Sequence, residues 1–410
     1  MLYHELKNGI RLVHNQLRSD VAHIGIVVNA GSRDEEENQQ GLAHFIEHLI
    51  FKGTKKRNNI QVLGRLENVG ADLNAFTTKE DTSIYASIQA KYYSRAMELL
   101  SDIVFHSVFP NKEIEKEKAV VIDEINSYKD NPAEWILDEF DALLFHGHSL
   151  GRNILGTKQK LEGYSRTDVI RFHDANYLPH RIVVSSVSNL TSNRVIANLE
   201  KFFSEIPPQP DFHQRTTFSN YTPQQITQKY SRHQSHAVIG NIAYNAHDEN
   251  RIPLAVLNNM LGGPAMNSRL NIALREKNGI AYNLESNYQS FSDTGMFNIY
   301  CGTDDALMPR ALELIHKELS KFRETLLSNI ALSTAKRQIK GQIAISLESH
   351  QSEMLANAKN MLVYGKVDPV HEIYRKIDNV TAEKLLEVAN EIFDPSRLST
   401  LIFNNQKHSK

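Results

Sequence analysis

The sequence predicts an α+β protein of two homologous domains, each a mostly antiparallel sheet with helices packed against it. Three observations carry this prediction. The chain repeats itself loosely: Ile24-Gly25, Asn29-Ala30 and Asp34-Glu35 are echoed by Ile239-Gly240, Asn245-Ala246 and Asp248-Glu249. LAHFIEHL from Leu42 likewise aligns with LAVLNNML from Leu254, 212 residues on. A period that long exceeds any solenoid repeat and points to duplicated domains. Between the copies, the stretch 206–227 has three prolines before Phe212 and no periodicity, which reads as a linker. Strand-like runs with short links, mixed with long helical patterns, complete the α+β assignment. The expected division is therefore 1–205, a linker at 206–227, and 228–410, and 410 residues suffice for two cores.

Taken in order, strands are expected at 10–14, 23–29, 83–88, 183–187, 236–243, 295–301 and 398–403. Helices are expected at 92–104, 133–145 and 308–329, and over a broad stretch at 332–364. Around His44, the residues Leu42, Phe45, Ile46, Leu49 and Ile50 recur at helical spacing, with no proline from Asp34 to Thr54. A further helix fits 111–127, with Pro110 just before it, Asn111 as N-cap, and Ile114, Val121 and Ile125 as its apolar stripe.

The chemistry concentrates in His44-Phe45-Ile46-Glu47-His48. Four residues apart on a helix, His44 and His48 share one face and can hold one metal ion at about 2.0–2.1 Å. Glu47 sits beside them, where a carboxylate accepts a proton from an activated water. The order H-x-x-E-H is the inverzincin signature. A catalytic zinc site needs a third protein ligand and one open position. The helix at 111–127 offers Glu117 and Glu124, two turns apart on one face, with Glu113, Glu115 and Asp123 as competitors. Glu124 follows a partly apolar run, where an unpaired carboxylate would be costly. Spacing does not choose among them.

HFIEHLIFKGT (His44 to Thr54), followed 76 residues after His48 by Glu124, resembles the pitrilysin-like zinc metallopeptidases, which include the mitochondrial processing peptidases and insulin-degrading enzyme. The resemblance covers nearly the whole chain. It implies that His44, His48 and Glu124 bind zinc, that Glu47 activates water, and that Glu117 supports the site. Gly70 to Thr77, with Asn74 and Ala75, is similar to the family strand whose backbone pairs with an extended peptide. Without the resemblance, Asn74 reads as an ordinary turn residue.

The second copy carries Val256, Asn259 and Met260 at the motif positions, so it cannot hold zinc in the same way. Its segment from Leu274 to Tyr282 resembles the family stretch in which an arginine and a tyrosine bind substrate, matched by Arg275 and Tyr282. A tyrosine hydroxyl can hydrogen-bond an oxyanion and a guanidinium can orient a peptide carbonyl. Read locally, the same segment is a surface helix end with Gly279 past its terminus. Larger relatives enclose a chamber with four such domains. A chain of two implies a homodimer, or a heterodimer with a paralogue, in which Arg275 and Tyr282 reach the other subunit's zinc.

The expected activity is endopeptidase cleavage of peptides or unfolded polypeptide segments. The alternative is a non-catalytic or partner-dependent subunit of a processing-peptidase-like complex. Net charge is −2, which gives no electrostatic footprint for nucleic acid. No apolar run is long enough to span a membrane, and the amino terminus shows no charged-then-apolar targeting pattern. One cysteine, Cys301, excludes an internal disulfide framework and fits a reducing, cytoplasmic location. Gly147-His148-Ser149-Leu150-Gly151 matches the G-x-S-x-G elbow of serine hydrolases, but helical periodicity precedes it where that elbow needs a strand. His146 and His148 read as a loop pair, and Gly262-Gly263 lacks the fuller glycine pattern of a phosphate cradle.

Overall fold

The computed structural model describes residues 1–210, 214–230, 234–281 and 283–404. Strands β1 (Leu2–Glu5), β2 (Arg11–Gln16) and β3 (Val21–Val28) precede helices α1 (Leu42–Leu49) and α2 (Asn59–Glu67), then strands β4 (Asp72–Thr77) and β5 (Thr82–Gln89). Helices α3 (Tyr93–Phe105), α4 (Asn111–Lys129), α5 (Pro132–Leu144), α6 (Lys158–Gly163) and α7 (Arg166–Asn176) lead to β6 (Ile182–Ser188) and α8 (Ser192–Phe203). The second half runs β7 (Gln225–Lys229), β8 (Ser235–Ala243), α9 (Arg251–Gly262), β9 (Asn283–Ser290) and β10 (Gly295–Thr303). It closes with α10 (Met308–Glu324), α11 (Asn329–Ser346), α12 (His350–Tyr364), α13 (Val370–Asp378), α14 (Ala382–Ile392) and β11 (Ser399–Asn404).

The strands form two sheets, ordered β1-β2-β6-β3-β5-β4 and β7-β11-β8-β10-β9. Among the described residues only the pairs β2–β6 and β7–β11 are parallel, so both sheets are mostly antiparallel, the α+β class that the sequence predicts. Each sheet packs helices through its own core. In the first, Ile24, Ile26, Val28 and Ile84 meet Phe45, Ile46, Leu100 and Ile103. In the second, Ile239, Phe297 and Ile299 meet Leu257, Leu261, Ile315 and Phe393.

The compact units are interleaved along the chain and do not follow the division into 1–205 and 228–410. One unit holds the described residues of 1–126, 152–216 and 345–367, and the other those of 127–151, 217–344 and 368–404. The reason lies in the second face of each sheet. Ala358 of α12 is buried with Val13, Val27 and Val183, while the Ser185 hydroxyl donates to the Met354 carbonyl at 2.7 Å. In the other unit, Ile136, Phe140 and Leu144 of α5 are buried with Val238, Tyr300, Leu401 and Phe403. Each half of the sequence thus supplies one helix to the unit built mainly from the other half. The matching repeat residues Gly25 and Gly240 make room for these helices. A Cβ on Gly25 would lie 2.6 Å from Met354 Sδ, and one on Gly240 would lie 3.0 Å from the Phe140 ring and 2.2 Å from the Phe297 carbonyl oxygen.

Several boundaries differ from expectation. The helix expected at 308–329 ends at Glu324, and the stretch 332–364 is two helices, because the Ser349 hydroxyl caps a new N-terminus by accepting from the Ser352 N–H. Helix α1 is short because Gly41, at φ +87°, starts it afresh. The range taken as a linker already contributes residues 214–216 to the first unit and the start of β7 to the second. Strands β7 and β9 fall outside the expected ranges because they are polar, partly exposed edges with few apolar residues, while β1 lies in the strand-like alternation of the amino terminus. Among the described residues no helix is long and apolar enough to cross a membrane.

Substituting Gly240 by alanine is expected to destabilise the protein by about 2 kcal/mol or more, because the new methyl meets a backbone carbonyl. Gly25→Ala should cost less, since the flexible end of Met354 can move aside. Urea denaturation midpoints check the order.

Candidate metal centre

Helix α1 is only eight residues long, so its termini matter. The buried Glu35 carboxylate accepts hydrogen bonds from the Gly41 N–H at 3.0 Å and the Ala43 N–H at 2.9 Å. Two donors that an N-terminus leaves unpaired are thereby satisfied. Burial pushes the Glu35 carboxyl up to about 8, against those two hydrogen bonds. Leu42, Phe45, Ile46 and Leu49 anchor the helix in the core. That leaves His44 and His48 on the side facing α4, where Ile114, Val121 and Ile125 bury the opposite edge.

The two imidazoles stand with ring centroids 4.6 Å apart. His44 Nε2 lies 3.7 Å from Glu124 Oε1, and His48 Nε2 lies 3.5 Å from Glu124 Oε2. In a tetrahedral zinc site with bonds of about 2.0–2.1 Å, neighbouring donor atoms stand about 3.3 Å apart. Both imidazole–carboxylate distances approach that spacing, all three donors lie within 4.8 Å of one another, and they are the only such cluster among the described residues. Two imidazoles and a carboxylate are also the donor types zinc prefers in a hydrolytic site. The residues fit the ion.

Behind this trio lies a second set of contacts. His48 Nδ1 pairs with Glu117 Oε1 at 3.0 Å, and Glu117 Oε2 receives Lys52 Nζ at 2.7 Å. A partner on Nδ1 leaves Nε2 for the metal and fixes the ring's orientation. Burial resists ionising Glu117, but His48 and Lys52 outweigh it and hold its carboxyl below the ordinary value. The hydrogen bond to His48 does the same for Glu124. Burial and the neighbouring His48 push His44 down to about 4. Burial also opposes charging His48, yet Glu117, Glu124 and Glu47 together carry it up to about 9. At neutral pH His44 is thus neutral and His48 carries the pair's single positive charge.

Glu47 Oε2 accepts a 2.7 Å hydrogen bond from the Thr77 hydroxyl at the end of β4. Burial raises the Glu47 carboxyl above the ordinary range, against the pull of Thr77 and His48. Strand β4 pairs with β5 on one side and ends the sheet on the other, which leaves one edge open. Asn74 is exposed on it, its amide donating to Asp72 Oδ1 at 2.8 Å, and Ala75 is half-buried.

The rival third ligands point elsewhere: Glu113 pairs with Lys116 and Glu115 with Lys118, while Asp123 is exposed. Arg275 belongs to the second unit, on a π-helical segment, Asn271–Glu276, where it borders a cavity of about 770 Å³. Tyr282 lies outside the described residues. Ser149 opens a short 3₁₀ turn after α5, so the nucleophile elbow has no preceding strand. The Cys301 thiol is buried in β10 and pushed up to about 12, far from a nucleophile's range. Sequence reasoning missed Lys52, the hydrogen bond from Thr77 and the cap from Glu35. Lys52 had one local signal, its position four residues after His48.

Residues 11–158 match the insulinase peptidases of family M16, and residues 163–339 match the inactive domain of peptidase M16. An uncharacterized zinc protease, YmxG, of Bacillus subtilis is 33% identical over 406 residues, spanning 97% of this chain and 96% of that protein. An uncharacterized zinc protease of Rickettsia felis is 29% identical over 98% of this chain and 97% of its own. Two solved structures share the fold. A peptidase M16 inactive domain from Pseudomonas fluorescens superimposes with a TM-score of 0.90 at 17% identity, covering 98% of this chain and 97% of its own. A protease from Helicobacter pylori gives 0.89 at 21% identity, with 98% and 99% covered.

Zinc uptake at pH 7 is expected to release about one proton per ion, because His48 at about 9 is protonated and must lose its proton to ligate. Zinc affinity should accordingly fall as pH falls, and calorimetry in buffers of different ionisation heat reads the proton count. Glu117→Gln is expected to weaken zinc binding roughly 10–100-fold, with the circular dichroism spectrum unchanged. Competition with a chelator measures the loss.

Proposed function

This chain belongs to the insulinase peptidase family M16, and on that premise we propose that it is a zinc metalloendopeptidase cleaving peptides or unfolded polypeptide segments internally. The observation that carries this reading is the convergence of His44, His48 and Glu124 beside a Glu47 held by Thr77. Bound zinc would supply Lewis acidity and lower the pKa of a water toward ~7.

The protein's own groups do the rest. Glu47 takes the proton of the attacking water and delivers it to the leaving amine, roles that suit a carboxyl raised by burial. The Thr77 hydroxyl occupies Oε2, which leaves Oε1 for that proton. The open edge of β4, with Asn74 and Ala75 at its middle, pairs with the backbone of an extended substrate and holds the scissile bond in register. Glu117 touches His48 and Lys52, so its part is to position the ligand.

Arg275 and Tyr282 contribute substrate binding and oxyanion stabilisation from the second half, on the chemistry of their side chains. Two copies of the chain form the working assembly, a heterodimer with a paralogue being the other arrangement that meets the same need. In the homodimer, Arg275 and Tyr282 of the partner subunit act at each zinc. The lone buried cysteine supports a cytoplasmic setting.

Hydrolysis of a mixed-sequence quenched peptide library is expected from the zinc-loaded protein and should fall roughly 10²–10⁴-fold in Glu47→Gln, with zinc content unchanged. Equal activity in both proteins would overturn the assignment of Glu47 as the base. Glu47→Gln and Arg275→Ala, each inactive alone, should recover activity when mixed. The mixed dimer combines an intact Glu47 with an intact arginine from its neighbour. Failure to recover would place Arg275 on its own subunit's site.

A further inference from the structure

A second cavity of about 730 Å³ opens on the second unit, and none of the residues assigned above lines it. It lies between α10, the segment after the π-helical turn and the start of α11. Five cationic side chains face it, those of Arg269, Lys277, Arg310, Lys317 and Lys321, against the single carboxylate of Glu318. Local pairs account for part of that charge: Arg310 is engaged by Glu313, and Lys321 by Glu318. Arg269, Lys277 and Lys317 have no hydrogen-bond acceptor among the described residues.

Arg269 makes the excess charge unusual for a surface. Its guanidinium stacks on the Phe322 ring, 3.9 Å from the centroid, which fixes the plane of its donors. It is partly buried, and burial lowers its pKa against the attraction of Glu318. A half-desolvated guanidinium with unused donors costs free energy that an oxyanion would return through paired, charge-assisted hydrogen bonds. The first turn of α11 lines the same cavity through Ala331 and carries no acidic side chain, so the positive end of an 18-residue helix adds to the field.

We propose that this cavity binds a multivalent phosphate anion, gripped by Arg269 with Lys277 and Lys317. Three cations without a hydrogen-bonding acceptor around one space, with Glu318 as the one carboxylate lining it, call for more than one further negative charge. None of the residues assigned to peptide hydrolysis lines the cavity, and binding is read directly by calorimetry.

The test titrates inorganic pyrophosphate into the zinc-loaded full chain by calorimetry, with Arg269→Gln, the double variant Lys277→Gln/Lys317→Gln, His48→Ala and Lys340→Gln in parallel. Saturable binding of one anion per chain is expected. It should weaken tenfold or more in Arg269→Gln and in the double variant, while the other two bind as the parent does. The double variant keeps the stacking of Arg269 on Phe322, so its result stands even where Arg269→Gln folds poorly. Lys340 pairs with Asp378 and reports general surface charge. Absence of saturable binding, binding unchanged in the double variant, loss in His48→Ala (pyrophosphate on the zinc), or an equal loss in Lys340→Gln would each overturn the proposal.

Discussion

The structure around the metal centre depends on one constraint: Glu117 and Glu124, two turns apart on α4, must both face α1. Glu117 is buried and Glu124 half-exposed, and a carboxylate withdrawn from water is costly unless it finds a positive or donating partner. Glu117 finds His48 and Lys52, and Glu124 finds the two imidazole nitrogens that face away from the core. The helix stripe of Ile114, Val121 and Ile125 aims both carboxylates at once, because seven residues bring the chain back to nearly the same side. The same geometry that spares the protein an unpaired charge assembles the ligand set.

A buried ionic network keeps the neighbouring strand in place. Asp34 receives Arg181 at 3.1 Å and Arg215 at 2.8 Å, and Arg33 reaches Glu80 at 2.7 Å. Backbone bonds from Ser32 and Arg33 to Thr78 and Lys79 tie the same region to the turn after β4. That turn begins one residue after Thr77, whose hydroxyl holds Glu47. Removing one partner from such a network leaves a buried charge uncompensated, so its members act as a unit. Arg215 joins from the stretch that the sequence presents as a linker, which gives those residues a structural part in the first unit.

The exchange of α5 and α12 bears on how the chain becomes stable. Neither sheet has both faces covered by its own contiguous half of the sequence, so the first unit is complete only with residues 350–364 and the second only with residues 132–144. Long-range contacts of that kind close late and at an entropic cost. The repeat marks the exchange in its own way. Gly25 and Gly240 occupy matching positions, and each clears the approach of a helix that comes from the other half.

The sequence by itself determined what local periodicity and motif spacing encode. Apolar repeats gave the inner strands of both sheets and helices α1, α3, α4, α5 and the body of α10, though not α2, α8 or α14; the four-residue step placed His44 and His48 on one face, and the 212-residue echo announced a duplication. Glu124 was separable from Glu113, Glu115, Glu117 and Asp123 only through resemblance, because five carboxylates on one helix look alike until a facing helix selects among them. Tertiary structure decided the rest. It decided that Glu117 backs His48 with help from Lys52, that Thr77 holds Glu47 and that Glu35 caps α1. It also decided that the compact units interleave instead of following the chain. These contacts join side chains from separate elements that no repeat or spacing relates. Only the packing of the elements supplies the distance, the burial and therefore the charge state of each group.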